Sequence, residues 1–503
     1  MKHNKIIQGI LVVLSFSLIA KILSAIIELS VAYKFGATHE TDVFYIVYGI
    51  IQTLTPMITI GVWKVYMPVY KEKQIENRDR EANTITDQLV VIFVLFCVFI
   101  TIFIYVFPQL FLKIFAPGFD EYSNCLGREL LRIMSFMFVF GILAVFRCAI
   151  LQSNNLFGKS QLKNIVTHIP ALVYLIFWGA SLSIKDLSMT IVIGELFSAI
   201  VLIVISRDIY RFSFPKKIID NQTINILKRV PAGCLSAIIN QLNSVIDKAF
   251  SSTLQMGAVT YLNNGGKLIG LLDGVFSTAI GTALFPNITE LYVKGEKKTL
   301  ADLMKKYVLS ISCFLIPVSF ILFICSDNII QIILGHGMYD KIAVENTSRV
   351  LAVYGIGLLA MSVNVVTNDI LYIMKKVNLL TVVNLLNIMY NIILDFLFVR
   401  KIGVAGLALA TSISFYVSVS FKVIYLRDMF MFDIRFLHDF ILIIISCVPS
   451  AIAIIVFRYC FDFGTYINLI IAVISFGTIY VALMLVINPT FRNVCKKIIR
   501  KSK

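Results

Sequence analysis

Apolar runs of about 20 or more residues recur along the whole chain, separated by short polar segments. Each is long enough to cross a hydrocarbon layer of about 30 Å as an α-helix. They predict fourteen spans, at residues 6–33, 41–67, 86–116, 128–152, 162–183, 187–206, 223–253, 258–289, 305–326, 343–373, 378–400, 403–425, 436–460 and 465–488. The fold class that follows is an all-α polytopic membrane protein. The longest polar stretches, 70–87, 207–222 and 290–304, are connector-sized, so no soluble domain is expected. The first run is too long for a signal-peptide core and has no small-residue cleavage site before Tyr33, so it reads as a span.

Charge gives these spans a direction. The chain carries 45 Lys and Arg, and 30 of them fall on the termini and on every second connection. That set comprises Lys2 and Lys5; Lys71, Lys73, Arg78 and Arg80; Lys159 and Lys163; a block from Arg207 to Arg229; a block from Lys294 to Lys306; Lys375 and Lys376; Lys422, Arg427 and Arg435; and the tail from Arg492 to Lys503. The opposite connections hold only Lys34, Lys113, Lys185, Lys341, Arg400 and Lys401. The excess of Lys and Arg on cytoplasmic loops places both termini in the cytoplasm, with Arg400–Lys401 the one exception. It also accounts for the net charge of +16. That charge is spread over short loops facing anionic lipid, with no basic stripe or nucleic-acid motif, so no nucleic-acid partner is expected. The nine cysteines lie mostly within spans and show no metal-ligand spacing, so no metal site is expected. Asn263-Asn264-Gly265-Gly266-Lys267 lacks the first Gly of a phosphate-binding loop and lies within a span, which argues against ATP hydrolysis. No cofactor is implied.

Two halves look alike. Span 2 closes as Gly61…Pro68 and a charged segment, and span 8 as Gly281…Pro286 and a charged segment. The run joining spans 4 and 5, AILQSNNLFGKSQLKNIV, resembles that joining spans 10 and 11, DILYIMKKVNLLTVVNLL. The expected architecture is two six-helix lobes related by a parallel repeat, with two extra C-terminal helices and a substrate cavity between the lobes near mid-membrane. In residues this gives an N-lobe at 1–206, a linker at 207–222, a C-lobe at 223–425, the extra spans at 426–490 and a basic tail at 491–503.

Ionisable groups inside spans are costly unless paired or hydrated, so each is a functional candidate. Lys21 and Glu28 are seven residues apart on one face of span 1, with Ser24 between them. Asp42 opens span 2 and Lys64 lies near its far end. Arg147, near the end of span 4, is placed to snorkel to the interface. Glu195, Asp247, Lys248, Asp273, Asn364 and Asp369 are candidates for a coupling-ion site or a lobe interface. Asn384, Asn387 and Asn391 share one face of span 11 and suit helix–helix hydrogen bonding. Lys21 and Lys267 lie far from either interface, which suits an anionic ligand in a central cavity, and Glu28 is a candidate partner for Lys21.

The segment AKILSAIIELSVAYKFGATHETDVFY (20–45) resembles the Ser-Arg-x-x-Gly-x-x-Arg-Asp…Phe-Gly…Asp-x-Phe signature of the MurJ/MviN family of lipid II flippases. The segment KLIGLLDGVFSTAIGTALFPNITELYVKGE (267–296) carries the family's Gly-Thr-x-x-x-Pro element, LGHGMYD (334–340) resembles its outer loop after span 9, and YGIGLLAMSVNVV (354–366) resembles the start of its span 10. The family belongs to the multidrug/oligosaccharidyl-lipid/polysaccharide exporter superfamily. The resemblance implies a cavity lined by cations that engage a lipid-linked pyrophosphate. It sets Lys21 on the first signature Arg, Glu28 on the signature acid, Asp42 on the signature Asp and Lys267 on the cation of span 8. Ser24 stands where the family has Gly, Ile27 where it has a second Arg, and uncharged residues around Thr53–Thr55 where span 2 has a cation.

The implied function is a flippase, not an enzyme. It would carry an undecaprenyl-pyrophosphate-linked glycan, such as the lipid II peptidoglycan precursor, from the inner to the outer leaflet of the bacterial cytoplasmic membrane. Alternating access would be driven by membrane potential or a Na+/H+ gradient. Its partners would be the lipid-linked substrate, membrane lipids and the cell-wall or polysaccharide synthesis machinery. The alternatives are a flippase for a capsule, exopolysaccharide or O-antigen unit, and a cation-coupled multidrug exporter. The exporter would want an acidic, aromatic cavity, which the cavity lysines argue against.

Overall fold

In the bilayer each backbone N–H and C=O must be satisfied within its own segment, so long apolar runs become helices. A computed structural model describes residues 2–177, 183–427 and 433–492; the side chain of Lys64 and the tail beyond 492 fall outside the described parts. The described residues contain helices and no strands. Ten of these helices are long and apolar enough to cross a bilayer, as a multi-pass membrane protein requires. The chain divides into two compact units, Met1–Thr260 and Tyr261–Lys503.

The first unit holds α1 (Lys2–Phe35), α2 (His39–Ile75), α3 (Asp79–Val106), α4 (Pro108–Phe115), α5 (Glu121–Met134), α6 (Met137–Ser153), α7 (Phe157–Val166), α8 (Ile169–Phe177), α9 (Ile184–Ile205) and α10 (Asn221–Ser251). Helix α2 is its centre, packing against α10, α6, α5 and α3. Val43, Ile46, Val47, Ile50 and Ile51 of α2 meet Leu89, Leu130, Leu131, Ile142 and Phe146 in one buried cluster. The contact with α10 is close because Gly49 has no side chain: a Cβ there would lie 2.7 Å from Lys248 Nζ.

Three expected spans are broken. Pro108 opens α4, where its missing N–H costs nothing, and so ends α3. Pro170 does the same near the start of α8. Between α5 and α6 the helix is interrupted at Ser135 without a proline; the Ser135 carbonyl accepts from Phe138 N (3.2 Å) and from the Thr101 hydroxyl of α3 (3.0 Å). The connector after α9 is not loose. Asp87 of α3 accepts from the Tyr210 hydroxyl (2.5 Å) and the Ser213 hydroxyl (2.8 Å), and Gln88 donates to the Lys217 carbonyl (2.8 Å).

The second unit holds α11 (Ala258–Val293, entering from the first), α12 (Lys297–Ile333), α13 (Lys341–Ile373), α14 (Val377–Ile402), α15 (Val404–Tyr425), α16 (Ile434–Cys460) and α17 (Thr465–Ile487). Helix α13 packs against α12 and α15, and α15 also against α14. At Gly357 the backbones of α13 and α15 come so near that a Cβ would lie 2.7 Å from the Ser412 hydroxyl. The two helices that follow, α16 and α17, lie on α12. Arg458 pairs with Asp327 at 2.5 Å, Lys305 with Asp433 at 3.0 Å, and the Tyr480 hydroxyl donates to the Cys313 carbonyl at 3.0 Å.

Two fastenings recur in these helices. Asp42, in the first turn of α2, caps the start of α11. Its Oδ2 accepts from Gly257 N (2.7 Å) and its Oδ1 from Thr260 N (2.8 Å) and the Thr260 hydroxyl (2.7 Å). Gly257 has no side chain with which to cap that helix, so Asp42 supplies the acceptor and favourable negative charge at the N-terminus. Helices α1 and α14 end at Gly36 and Gly403, both at positive φ, and four more share a common closure through Asn77 after α2, Asn155 after α6, Gly295 after α11 and Lys375 after α13, also at positive φ. In each of these four the next N–H turns back to a carbonyl five residues earlier, as in Arg78 to Lys73 and Lys376 to Leu371, both at 2.9 Å.

Asp42→Ala leaves three donors without their acceptor and should cost about 3 kcal/mol in thermal unfolding of the detergent-solubilised protein, with Asp42→Asn costing about half of that. An alanine variant that unfolds with the wild type would remove the cap from this account. Lys375 is the one residue of the four that is neither Gly nor Asn, so Lys375→Gly should raise stability by about 1 kcal/mol in the same measurement. A loss of stability would contradict the strain assigned to that position.

Candidate functional site

The intramembrane polar residues separate into those held by partners within their own unit and those that are not. On α1, Lys21, Ser24 and Glu28 repeat at helical spacing and all are half-buried. Glu28 is not the partner of Lys21. It lies about 10 Å further along the helix, and its Oε2 accepts from the Tyr45 hydroxyl of α2 at 2.8 Å. Tyr45 is buried, so this bond fixes the carboxylate. The Lys248 ammonium of α10 donates to the Tyr45 carbonyl at 3.2 Å while its stem lies across Gly49. Glu28, Tyr45 and Lys248 therefore form one group joining α1, α2 and α10, with Asp247 buried beside it on α10. Lys21 has no hydrogen-bond or ion-pair partner among the described residues.

Other candidates prove to be fasteners. Asp42 is 7% exposed, with both oxygens committed to residues 257–260 as described. Glu195 of α9, expected as a coupling or interface acid, pairs with Lys163 of α7 at 3.8 Å. Arg147 does not snorkel outward. It is 9% exposed, donates to the Tyr210 carbonyl (2.8 Å) and Ser206 hydroxyl (3.2 Å), and lies 4.5 Å from the centre of the Tyr210 ring. That bundle ties α6 to the connector after α9.

In the second unit Lys267 is exposed on α11. The glycines before it serve packing: a Cβ on Gly265 would lie 2.6 Å from Val350 of α13. Two turns on, Asp273 accepts from the Ser362 hydroxyl of α13 at 2.8 Å. Asp369 is half-buried on α13. Asn364 is turned to a residue that sequence reasoning placed on a loop. Lys422 is 1% exposed inside α15, and its ammonium donates to Asn364 Oδ1 (2.6 Å), Asn368 Oδ1 (2.7 Å) and Asn384 Oδ1 (3.4 Å). The positive-loop pattern took Lys422 for a topogenic charge. The signal that could have found it is Ser414, Ser418 and Lys422, four residues apart on one face of the helix, all buried. Asn391 and Asp395 of α14 are also fully buried, with Asn391 3.4 Å from the Thr411 hydroxyl of α15.

Chemically, Lys21 in the first unit and Lys267 in the second each carry an ammonium group of the kind that suits an oxyanion. No three His, Cys, Asp or Glu among the described residues are grouped as metal ligands.

Comparison with known proteins gives the family. A family model described as Lipid II flippase MurJ matches residues 31–484. A probable lipid II flippase MurJ of Buchnera aphidicola is 25% identical, over 90% of this chain and 91% of its own length. The Thermotoga maritima counterpart is 24% identical over 83% and 85%, and the lipid II flippase MurJ of Burkholderia cenocepacia 19% over 81% of each. Among solved structures, lipid II flippase MurJ in an inward closed conformation superposes with a TM-score of 0.82 at 21% identity, covering 96% of this chain and 100% of its own. An inward-facing multidrug resistance transporter of the MATE family and MOP superfamily reaches 0.66 at 13% identity, over 83% and 97%. With one family model running through nearly the whole membrane body, the chain belongs to the Lipid II flippase MurJ family.

Proposed function

We propose that this protein is a flippase that moves an undecaprenyl-pyrophosphate-linked glycan of the lipid II type from the inner to the outer leaflet of a bacterial cytoplasmic membrane. The observation that carries the reading is the family match over residues 31–484, which takes in both halves of the chain. The pyrophosphate is engaged by Lys21 of α1, which has no hydrogen-bond or ion-pair partner among the described residues, and by Lys267, exposed on α11 and set by the family resemblance on the cation of span 8. In a low-dielectric setting an ammonium attracts a phosphate strongly, and alternating access weakens that attraction on the release side. Ser24, one turn from Lys21, adds a hydroxyl donor. Glu28, held by Tyr45, sets a negative limit two turns beyond Lys21. The lipid tail stays in the bilayer, and membrane potential or a cation gradient drives the cycle.

The same proposal includes fourteen crossings with both termini in the cytoplasm, counting α3 with α4, α5 with α6, and α7 with α8 as one crossing each. It also includes two six-crossing halves of like order. Support for the halves comes from the four closures with a returning N–H, which fall after α2 and α11 and again after α6 and α13, six crossings apart in each case. Lys is a poorer bidentate phosphate clamp than Arg. A capsule or exopolysaccharide lipid is therefore the second reading, favoured by Lys at both positions and by Ile27 in place of a second cation.

Depletion of the protein in its own host, followed by lipid extraction, tests the substrate. Lipid II should accumulate on the inner side. Accumulation of a different polyprenyl-linked glycan would transfer the role to that lipid, and no accumulation of either would end the flippase reading. Complementation of the depleted strain tests the site: Lys21→Ala and Lys267→Ala should each lower rescue by about tenfold or more, the loss of one charge-assisted contact. Lys21→Arg should retain rescue. Full rescue by both alanine variants, with normal membrane levels, would reject the assignment of these lysines.

A further inference from the structure

Lys422 presents a puzzle that the transport reading does not use. Its side chain is almost fully enclosed by α13, α14 and α15. Its ammonium has three N–H donors, and three amide oxygens face it, from Asn364, Asn368 and Asn384. No carboxylate lies within ion-pair distance of it among the described residues. Tying three helices together does not call for this arrangement. Ser, Asn or Gln side chains would bond across the same gap without burying a charge, and a buried charge lacking a counter-ion is disfavoured. What the site does have is an acceptor-only shell: neutral oxygens converging on one point from two helices. Such a shell suits a small monovalent cation, which needs oxygen donors and, at a single charge, can do without a carboxylate.

We propose that Asn364, Asn368 and Asn384 form a cradle for a small monovalent cation, an alkali ion or primary ammonium, and that this chain loads it permanently with the Lys422 ammonium. The α13–α14–α15 contact is thereby held in its cation-loaded form without a dissolved ion. Asn364, a candidate for a coupling ion on sequence grounds, is turned to a tethered one instead. The proposal is independent of which lipid is carried.

The test is thermal unfolding of the purified full-length protein, titrated separately with NaCl, KCl, methylammonium chloride and, as a cation too large for the cradle, choline chloride. The wild-type midpoint in each salt is the baseline against which the variants are compared. Lys422→Ala should unfold about 5 °C or more lower in choline chloride and regain at least half of that loss, saturably, in methylammonium or an alkali salt. Which salt restores it distinguishes an ammonium site from an alkali-ion site. Lys422→Met keeps the length and removes the charge; it should be destabilised and stay so in every salt, because the thioether fills the space. Lys422→Ala that no small cation restores, or Lys422→Met as stable as the wild type, would overturn the proposal. If Lys422→Ala aggregates in choline chloride, purification in methylammonium chloride is the same test: recovery of folded protein supports the cradle, and continued aggregation overturns it.

Discussion

A polar group inside a bilayer has to find its partner within the protein, and most of this structure follows from that. The helices themselves are its first consequence, since a helix satisfies its backbone alone. The second is the set of side-chain fastenings placed wherever a helix ends, breaks or carries a charge. Thr101 adds a second donor to the Ser135 carbonyl at the break, Asp42 serves the amides at the start of α11, and Arg147 takes the Tyr210 carbonyl. Each bond is individually modest. The cost of leaving such a group unmade is larger, and that asymmetry sets the arrangement.

The same constraint separates structural charge from functional charge. Arg147 and Lys163 look like intramembrane or near-membrane cations in the sequence, yet each is absorbed by neighbours in its own unit. Lys422 is absorbed by three asparagines. Asp42, Glu195 and Asp273 are likewise held by a helix end, a lysine and a serine. Lys21 stands apart, half-buried with no such partner among the described residues. That condition is what the proposed function assigns to the pyrophosphate of an anionic lipid.

Much of the fold was legible because span length and apolarity act locally. The expected runs at 343–373 and 465–488 became helices Lys341–Ile373 and Thr465–Ile487, within two residues at each end. The breaks at 107 and near 168 were legible too, through Pro108 and Pro170, but apolar continuity outweighed them in the reading. The break at Ser135 was not, because no proline marks it and its second donor, Thr101, is 34 residues away. Side-chain roles followed the same division. Lys21 and Lys267 stand out in the sequence by their depth in spans 1 and 8 and by their places in the family signature. The Tyr45–Glu28 bond joins residues 17 apart on different helices, and no spacing rule points to it. Lys422 was misplaced because the loop-charge rule counts residues near a span end without asking which way they face.

The proposed function rests on Lys21, which has no internal partner among the described residues, meeting the pyrophosphate together with Lys267. Its most direct test is reconstitution of the purified protein in liposomes carrying fluorescent lipid II, with a membrane-impermeant quencher reporting the leaflet. The account predicts protein-dependent exchange between leaflets that falls steeply in Lys21→Ala and persists in Arg147→Met, provided that variant stays folded. Exchange that is unchanged in Lys21→Ala, or absent in the wild type for every polyprenyl-pyrophosphate glycan supplied, would contradict it.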